Sequence, residues 1–340
     1  MTIAAIRKQW QRAVQTGAAI AFYRLPGKSV QVVEGGVSAS LKKGEAAFAM
    51  VKFNGEKCFI VSGKAKTATS VSKTLQPKPS TKNTFKIYVE KALHAIAGND
   101  FKKVVTARCA TAKLPEQFDP IGIFNTCCKK YKSTFCSLVH LPGEGIWIGA
   151  TPEILVEERG ENLVTYSLAG TINAKTIAGF SSKEREEQQL VTDFIKKKLA
   201  RFSKTVNLSP VETIHAGKLT HLRNVFVVPK VVIEPVKLAA ALHPTPAVGG
   251  LPRKSALAFI SENEKLDREY YSGYLGPIHH QGNTSLWVNL RCVKVTNQII
   301  FYAGCGITQG SNPESEWQET ENKMEVMRAV ILNRKTTATE

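Results

Sequence analysis

The stretch from Tyr302 to Lys323, YAGCGITQGSNPESEWQETENK, most constrains the fold because it joins a strand directly to a helix. It begins with strand-forming residues, loosens at its glycines and turns at Gly310, Ser311 and Asn312. Asn312 can cap a helix, and Pro313 fits the first helical position because no amide donor is needed there. The chain must therefore bring a glycine-containing strand end next to the start of a helix.

The predicted helix carries an unusual group of charges. Glu316, Glu319 and Lys323 are spaced three and four residues apart, which puts two carboxylates and one ammonium on the same helix face. Two acids beside a glycine-containing strand end suit a hard cation that also binds an anionic substrate. The alternative for an isolated Glu-x-x-Glu pair is a solvated acidic face, and the pair alone does not decide between the two interpretations.

Strands and helices are mixed along the chain without regular βαβ units. Residues 1–62 hold one helix and four short β-rich segments, and apolar spacing predicts amphipathic helices over 85–96 and 182–203. No Gly-x-Gly-x-x-Gly or P-loop motif occurs between a strand and a helix. The pattern predicts an α+β fold with large, mostly antiparallel sheets and helices packed on their faces.

The composition is strongly basic, with 46 Lys and Arg against 28 Asp and Glu and a formal net charge of +18. Such a balance raises nucleic-acid binding as a hypothesis from a different functional class. The basic residues are dispersed, however, with short runs only at 129–130 and 196–198, and they form no platform interleaved with aromatic side chains. We therefore assign the excess charge to the capture of small anions or to solubility and expect no nucleic-acid partner.

Other whole-chain features favour a cytoplasmic protein. No apolar run approaches the ~20 residues that a membrane helix needs, so no membrane segment is expected. The N-terminus has a short apolar start followed by charges, and we interpret it as a helix and not as a secretory signal. The seven cysteines are scattered without a Cys-x-x-Cys pair, which indicates neither a zinc site nor a disulfide framework.

Three further positions are candidates for chemistry on pattern alone: Glu187 beside an apolar helix stripe, Lys103 at the start of a strand, and Glu153 after a glycine-bounded strand. Each also has a structural interpretation, since a lysine or glutamate at such a position is usually solvated. His243 in LHPTP is more often a hydrogen-bonded loop residue than a catalyst. The single positions therefore do not identify a function.

The combination of short segments is more specific than any one of them. Nine segments occur in this order: KVVTAR at 103–108, ATPE at 150–153, LAGT at 168–171, EQQLVTD at 187–193, LHPTPAVGG at 242–250, DREYYSG at 267–273, LR at 290–291, YAGCGI at 302–307 and PESEWQETENK at 313–323. Together they resemble the chorismate-utilising enzymes, the family of isochorismate, salicylate, anthranilate and aminodeoxychorismate synthases. The resemblance covers roughly residues 85–335, the expected chorismate-binding catalytic region. Residues 1–84 match loosely and are interpreted as the variable N-terminal part of the same fold.

Within this family, Lys103 implies the branch that adds water, because anthranilate-type relatives commonly carry Gln there and add ammonia. The expected activity is that of an isochorismate synthase, an isomerase that adds water at C2 of chorismate and expels the C4 hydroxyl. The alternative is a salicylate synthase, which goes on to eliminate pyruvate. The resemblance does not distinguish a menaquinone pathway from a siderophore pathway.

The resemblance also implies roles for single residues. Lys103 would be the base and Glu153 the acid, since the reaction needs one on each side of the ring. Lys103 must then be an uncharged amine part of the time, and Glu153 must hold a proton near neutral pH, which an apolar setting would favour. A magnesium ion would be held by Glu187 and Glu319, with Glu316 in direct or water-mediated contact.

The remaining residues would bind the two carboxylates and the ring of chorismate. The implied substrate-binding residues are Gly170, Thr171, His243, Tyr271, Arg291, Gly304 and Lys323. Arg291 suits the carboxylate of the enolpyruvyl side chain because a guanidinium binds a carboxylate in bidentate fashion. No glutamine amidotransferase subunit is expected because ammonia is not used, and a monomer is expected. All these roles require side chains far apart in sequence to converge on one pocket.

The sequence departs from the family pattern in three places. Thr151 stands where the family often has Ser, and Gly249 stands where Cys is frequent. After LAGT, relatives often show an arginine, and this chain has the residues INAK at 172–175. The resemblance therefore leaves open which cation lies at that edge of the pocket.

Overall fold

The computed structural model describes residues 1–63, 77–173, 179–216 and 219–332. The end of the expected catalytic region, residues 333–335, and the second half of the INAK segment, residues 174–175, lie outside the described residues. The helices of the described chain are α1 (Ile3–Thr16), α2 (Lys82–Ala97), α3 (Pro120–Lys130), α4 (Ser182–Leu199), α5 (Pro235–Leu242), α6 (Arg253–Asn263) and α7 (Pro313–Ile331), with a 3₁₀ turn at Lys230–Val232. None of them is both long enough and apolar enough to cross a membrane.

The strands of the described residues join into one continuous hydrogen-bonded sheet. They are β1 (Ala19–Arg24), β2 (Gln31–Ser38), β3 (Ala47–Val51), β4 (Lys57–Ser62), β5 (Lys103–Lys113), β6 (Phe135–Leu141), β7 (Gly145–Thr151), β8 (Ile154–Arg159), β9 (Asn162–Asn173), β10 (Asn207–Leu208), β11 (Glu212–Ala216), β12 (Leu219–Pro229), β13 (Gly250–Leu251), β14 (Tyr274–Ile278), β15 (Ser285–Val288), β16 (Cys292–Val295) and β17 (Gln298–Ile307). The pairings described between them are antiparallel, as in β5 with β17 and β9 with β12. The predicted α+β class with a large antiparallel sheet is confirmed.

The N-terminal strands are part of this sheet. Strand β1 pairs with β2 and with β6, and β3 pairs with β14 near the other end of the chain. Apolar side chains on the two faces of the sheet pack under the helices in several buried clusters. Residues 1–63 therefore share their hydrogen bonds and their core with the rest of the chain.

The longest pairing near the C-terminus sets up the functional region. Strand β5 runs antiparallel to β17, from Lys113 opposite Gln298 to Val104 opposite Ile307. The start of β5 therefore lies beside the end of β17. From there the chain turns into α7, which packs against β17.

Helix α7 begins as the sequence predicts. Asn312 caps it, because its side chain accepts hydrogen bonds from the backbone N–H groups of Glu314 and Ser315. Pro313 occupies the first helical turn. Further along the helix, Met324 and Met327 join the buried cluster beneath the sheet. The direction of α7 is therefore fixed both by its cap and by its buried methionines.

The amphipathic helices predicted over 85–96 and 182–203 are both present, but the second one ends earlier than predicted. Helix α2 contains the predicted segment 85–96, whereas α4 ends at Leu199 and not at residue 203. After Leu199 the backbone closes into a turn, in which the N–H groups of Phe202 and Ser203 both bond to the carbonyl of Leu199. The apolar spacing extends through Phe202 because that side chain still packs against the core cluster after the helix has ended.

Candidate active site

A central pocket of about 60 Å³ lies where the end of β17 meets β9, α4 and α7. Its wall brings together residues that are far apart in sequence, among them Glu153, Thr171, Glu187, Tyr271, Arg291, Gly304 and Lys323. Next to it is an outer cleft of about 380 Å³, lined among others by Lys183, Glu316 and Glu319. Thr171 lines both spaces, so the pocket and the cleft adjoin each other.

Lys103 lies at the first position of β5 and is fully buried. Its Nζ is 3.0 Å from Oε1 of Glu187, which comes from α4. The contact is an ion pair without hydrogen-bonding geometry, and Nζ makes no hydrogen bond to a described residue. Lys103 thus lies behind Glu187 and Gly306, which line the central pocket, and is not itself one of the lining residues.

Gly306 on β17 makes room for this ion pair. A Cβ at this position would lie 2.3 Å from Oε1 of Glu187 and 2.9 Å from Cε of Lys103, closer than atoms can approach. Any side chain there would displace one partner or the other. The glycine of the predicted strand end is therefore required by the packing of the two charged groups.

Glu153 follows β7 and is almost completely buried. Its backbone is held by the neighbouring strand, because its carbonyl accepts a hydrogen bond from the Val288 N–H. Burial raises the pKa of the Glu153 carboxyl to about 8, against the lowering effect of Lys103, then Lys323 and Arg291. The side chain is therefore mostly protonated at neutral pH, as a general acid must be.

Arg291 occupies a break that the sequence did not predict. The sequence SLWVNLRCVKV at 285–295 predicts one strand, but this segment forms β15 and β16 with Arg291 between them at a φ of +50°. Burial lowers the pKa of Arg291 to about 10, although nearby Tyr271, Glu319 and Glu153 oppose this shift. Its Nη1 has no hydrogen-bond partner among the described residues. The guanidinium is thus a buried donor whose acceptor is absent from the described chain.

The remaining carboxylates are paired with lysines, as Glu187 is. In the outer cleft Lys183 Nζ donates to Oε1 of Glu316 at 2.6 Å, and on α7 Lys323 Nζ donates to Oε1 of Glu319 at 2.5 Å. Burial and then the carboxylate of Glu319 raise the pKa of Glu316, against the lowering effect of Lys183. The second oxygen of Glu316, Oε2, is buried without a partner among the described residues.

Glu187 carries the opposite pKa shift. Burial alone would raise the pKa of its carboxyl, but the charges of Lys103, Lys183 and Lys323 outweigh burial and lower it. The same carboxylates act on Lys183: burial opposes its charge, but Glu316, Glu319 and Glu187 outweigh burial and raise the pKa of Lys183. The three acids and their lysines therefore form one electrostatic cluster across the pocket and the cleft.

The acidic residues of this cluster supply the type of ligand atom, carboxylate oxygen, that a hard cation prefers. Carboxylate oxygens are the ligands that Mg²⁺ prefers, and the buried Oε2 of Glu316 makes no hydrogen bond of good geometry to a described residue. Within the described ranges, however, no three acidic, histidine or cysteine side chains converge tightly enough to hold a metal by themselves. Magnesium commonly binds through one or two carboxylates plus water and substrate oxygens, and the cluster suits that mode.

A bulge in β9 aims the LAGT segment at the pocket. The pairing of β9 with β12 shifts register opposite Gly170, which has a φ of +66° and is the extra residue. A Cβ on Gly170 would lie 2.8 Å from the carbonyl of Glu184, so a glycine is needed for close packing against α4. The bulge lets Ala169 and Thr171, on either side of Gly170, both line the pocket.

Two other predicted substrate-binding positions also lie at the wall. Tyr271 stacks on Tyr302, with ring centroids 5.3 Å apart. The carbonyl of Gly304 accepts a hydrogen bond from Lys323 Nζ at 2.9 Å, which ties α7 to the strand end. The ammonium of Lys323 is thus fixed at the border between the pocket and Glu319.

His243, one of the predicted substrate-binding residues, does not line the central pocket. His243 ends α5 and lies in a separate groove, where its Nε2 is 3.1 Å from the carbonyl oxygen of Phe53. Of its segment LHPTPAVGG, only Ala247 and Val248 reach the central pocket. The structural interpretation weighed above, a hydrogen-bonded histidine at the end of an element, describes His243.

The histidine of the central pocket is His221, which sequence reasoning missed. His221 lies on β12 opposite Thr171, and its Nδ1 is 3.1 Å from the Thr171 hydroxyl. Burial, helped by Arg291 and Lys323, lowers the pKa of His221 well below its ordinary value, so the ring is neutral. Its Nε2 is buried without a partner among the described residues. Only the pairing of β9 with β12 reveals this position.

The sequence matches the family model described as chorismate binding enzyme over residues 40–332. This match begins inside the segment interpreted above as a variable N-terminal part. Among curated relatives, the chain is 30% identical over 254 residues to isochorismate synthase MenF of Escherichia coli strain K12, covering 72% of this chain and 59% of that protein. It is 32% identical over 257 residues to isochorismate synthase EntC of the same strain, covering 72% and 66%. The matched part of the chain thus spans 59–66% of the length of these relatives.

Solved structures show the same fold. The structure of MenF, the menaquinone-specific isochorismate synthase from Escherichia coli, superposes with a TM-score of 0.78 at 23% identity, covering 92% of this chain and 88% of that chain. Anthranilate synthase component I from Streptococcus pneumoniae superposes with a TM-score of 0.69 at 19% identity, covering 91% and 89%. With the family match over most of its length and this shared fold, the chain belongs to the chorismate binding enzyme family.

Proposed function

We propose that this protein is a magnesium-dependent isochorismate synthase that converts chorismate to isochorismate. The observation that supports the proposal is that Glu153 lines the central pocket and is buried so that it holds a proton at neutral pH, while Lys103 is buried against Glu187 of the same pocket. The curated relatives MenF and EntC bear the name isochorismate synthase, which supports the same reaction.

The reaction requires a proton to leave water and another to reach the departing hydroxyl. Lys103, which is paired with Glu187 at 3.0 Å, would first have to give up a proton. As the neutral amine it would take a proton from the water that attacks C2, while Glu153 would give its proton to the C4 hydroxyl, which leaves as water. Both ring double bonds shift by one position, so that the electron pair of the breaking C4–O bond leaves with the hydroxyl. Because Lys103 is fully buried and Glu153 almost so, little bulk water competes for either proton.

The substrate is a dianion, and the pocket offers cationic and polar donors that lack an acceptor. The guanidinium of Arg291 has an unused donor and suits the carboxylate of the enolpyruvyl side chain. The neutral ring of His221 has an unused Nε2, which suits a ring oxygen of chorismate. Thr171 positions that ring through its hydroxyl. The basic net charge of the protein is then explained by the capture of this dianion, not by nucleic acid.

Magnesium would be held by Glu187 and Glu319, with Glu316 beside them. Bound magnesium would neutralise one substrate carboxylate and so offset its repulsion by these acids. The chain's own lysines, Lys103 and Lys323, hold Glu187 and Glu319 at the border of the pocket, where a substrate carboxylate would complete the set of oxygen ligands.

The product assay tests the proposed function. We expect purified protein incubated with chorismate and magnesium to give isochorismate as the chromatographic product, without release of pyruvate. Salicylate together with an equal amount of pyruvate would instead identify a salicylate synthase. Failure to consume chorismate under any magnesium concentration would contradict both activities.

A substitution on α7 tests the metal. Glu319→Gln is expected to raise the magnesium concentration needed for half-maximal activity by at least tenfold, because a neutral amide is a weaker ligand than a carboxylate. The magnesium dependence of the initial rate measures this change. Glu325→Gln on the exposed side of α7 is the matched control. An unchanged magnesium dependence in Glu319→Gln would remove Glu319 from the metal site.

The wider setting is part of the same proposal. We propose a cytoplasmic monomer that acts without a glutamine amidotransferase subunit, since water and not ammonia is added. The names of the relatives include a menaquinone-specific enzyme and a vibriobactin-specific one, so the product fits either a quinone or a siderophore pathway. Gel filtration at micromolar concentration tests the monomer.

A further inference from the structure

The outer cleft contains a positively charged side chain, Lys183. Lys183 lies at the start of α4 and reaches across to α7, where its Nζ donates to Oε1 of Glu316 at 2.6 Å. Glu316 is only 1% exposed, and the side chain of Lys183 is 18% exposed. The ammonium also interacts electrostatically with Glu319 and Glu187. It is therefore placed among all three carboxylates that suit a divalent cation.

The position of Lys183 is unfavourable for its own helix. The first turn of a helix carries a partial positive charge, which favours acidic and not basic side chains. The capping box of α4 already satisfies the helix start through Ser181 and Glu184, and it makes no use of Lys183. The charge of Lys183 is therefore stabilised by the carboxylates across the cleft. Lys183 in turn stabilises the negative charge of those carboxylates.

Glu316 has one oxygen that this lysine does not use. Oε2 is buried and makes no hydrogen bond of good geometry to a described residue, although the nearby Ser311 side chain helps to lower the pKa of this carboxyl against the raising effect of burial. Lys183 also lines the open cleft of about 380 Å³, so its flexible stem has space to swing aside. The carboxylate is thus neutralised by a tethered ammonium that can be replaced.

We propose that Lys183 is a tethered counter-cation that occupies the acidic cluster when magnesium is absent and competes with magnesium for Glu316 and its neighbours. The inference rests on the magnesium-dependent function proposed above. Because Lys183 holds the metal-free cluster neutral, free magnesium binds weakly. A substrate that brings its own carboxylate restores the balance in favour of the metal. Lys183 thereby couples magnesium binding to chorismate binding.

Calorimetric titration with magnesium chloride in the absence of chorismate tests this role. Lys183→Met is expected to bind Mg²⁺ at least tenfold more tightly than the wild type, a change of about 1.4 kcal/mol. Without magnesium, the variant is expected to melt at a lower temperature than the wild type, because Glu316 loses its buried partner. Added magnesium should then raise its melting temperature more than that of the wild type.

Three further variants separate charge from shape. Lys183→Gln keeps a hydrogen-bond donor for Glu316 without the charge, and it should show the same gain in affinity even where the methionine variant folds poorly. Lys183→Arg keeps the charge and should bind magnesium as weakly as the wild type. Lys197→Met removes a charge from an exposed position of the same helix and should change neither property.

Equal or weaker magnesium binding in both Lys183→Met and Lys183→Gln would overturn the proposal, and so would the absence of any magnesium response in all variants. The titration needs no turnover of chorismate. Its outcome is therefore separate from the product assay: a protein that forms salicylate can still show this competition, and an isochorismate synthase can lack it.

Discussion

Replacing Lys103 with alanine is expected to lower kcat/KM for chorismate by about 10²–10⁴-fold, because the proposed reaction would lose the base that takes a proton from water. Initial rates measured by chromatography of isochorismate give the change. The companion variant Lys103→Gln fills most of the volume of the lysine, so its loss of activity reports chemistry and not a cavity.

The control for this substitution is the adjacent lysine. Lys102 is exposed next to the fully buried Lys103, and Lys102→Ala should keep wild-type activity. Circular dichroism and the melting temperature show whether each variant is folded. Removing Lys103 leaves Glu187 without its partner at 3.0 Å, so some loss of stability is expected in the alanine variant. Full activity in a folded Lys103→Gln protein would exclude Lys103 from the mechanism.

Glu153→Gln is expected to lower kcat by about 10²–10⁴-fold, because an amide cannot protonate the leaving hydroxyl. The wild type should also lose activity as the pH rises through about 8, since the pKa of Glu153 is raised to that value by burial and only the protonated carboxyl is an acid. The residual activity of the variant should not show this decrease on the alkaline side of the pH profile (the alkaline limb). Profiles of kcat/KM against pH measure both effects.

The same group affects stability in a defined direction. The folded protein keeps the Glu153 proton up to about pH 8, whereas the unfolded chain releases it near the ordinary pKa of 4.5. Between these values the folded state binds more protons, so this group's contribution to the free energy of unfolding decreases as the pH rises. Glu153→Gln removes that dependence, and Glu161→Gln, at an exposed position, should leave it unchanged. An alkaline limb that persists in Glu153→Gln would assign the limb to another group.

The sequence predicted the parts of the site that depend on local rules. The start of α7 follows from Asn312 and Pro313, whose capping chemistry acts within three residues, and the direction of its charged face follows from helical spacing. The antiparallel class followed from short β-rich segments closed by glycine. Resemblance to a family supplied Lys103 and Glu153; Glu153 lines the central pocket, and Lys103 lies against Glu187 of its wall.

The features that were missed depend on long-range pairing. His221 reaches the pocket only because β12 pairs with β9 in a register that puts it opposite Thr171. Lys183 reads as an ordinary helix lysine until α4 and α7 are seen to face each other across the cleft. The break at Arg291 was missed because SLWVNLRCVKV alternates like one strand, and a left-handed residue inside it carries no signal of its own.

The antiparallel pairing of β5 with β17 has a consequence for how insertions and deletions would act on this protein. Side chains alternate between the two faces of a strand, so a slip of one residue would turn Lys103 away from Glu187. The same slip would replace Gly306, whose missing side chain makes room for this ion pair, by a larger residue. An added residue inside either strand is therefore expected to abolish the proposed activity, even where the sheet still forms. Length changes can accumulate in the turn at Thr296 and Asn297, beyond the far end of the ladder, without reaching the reacting groups.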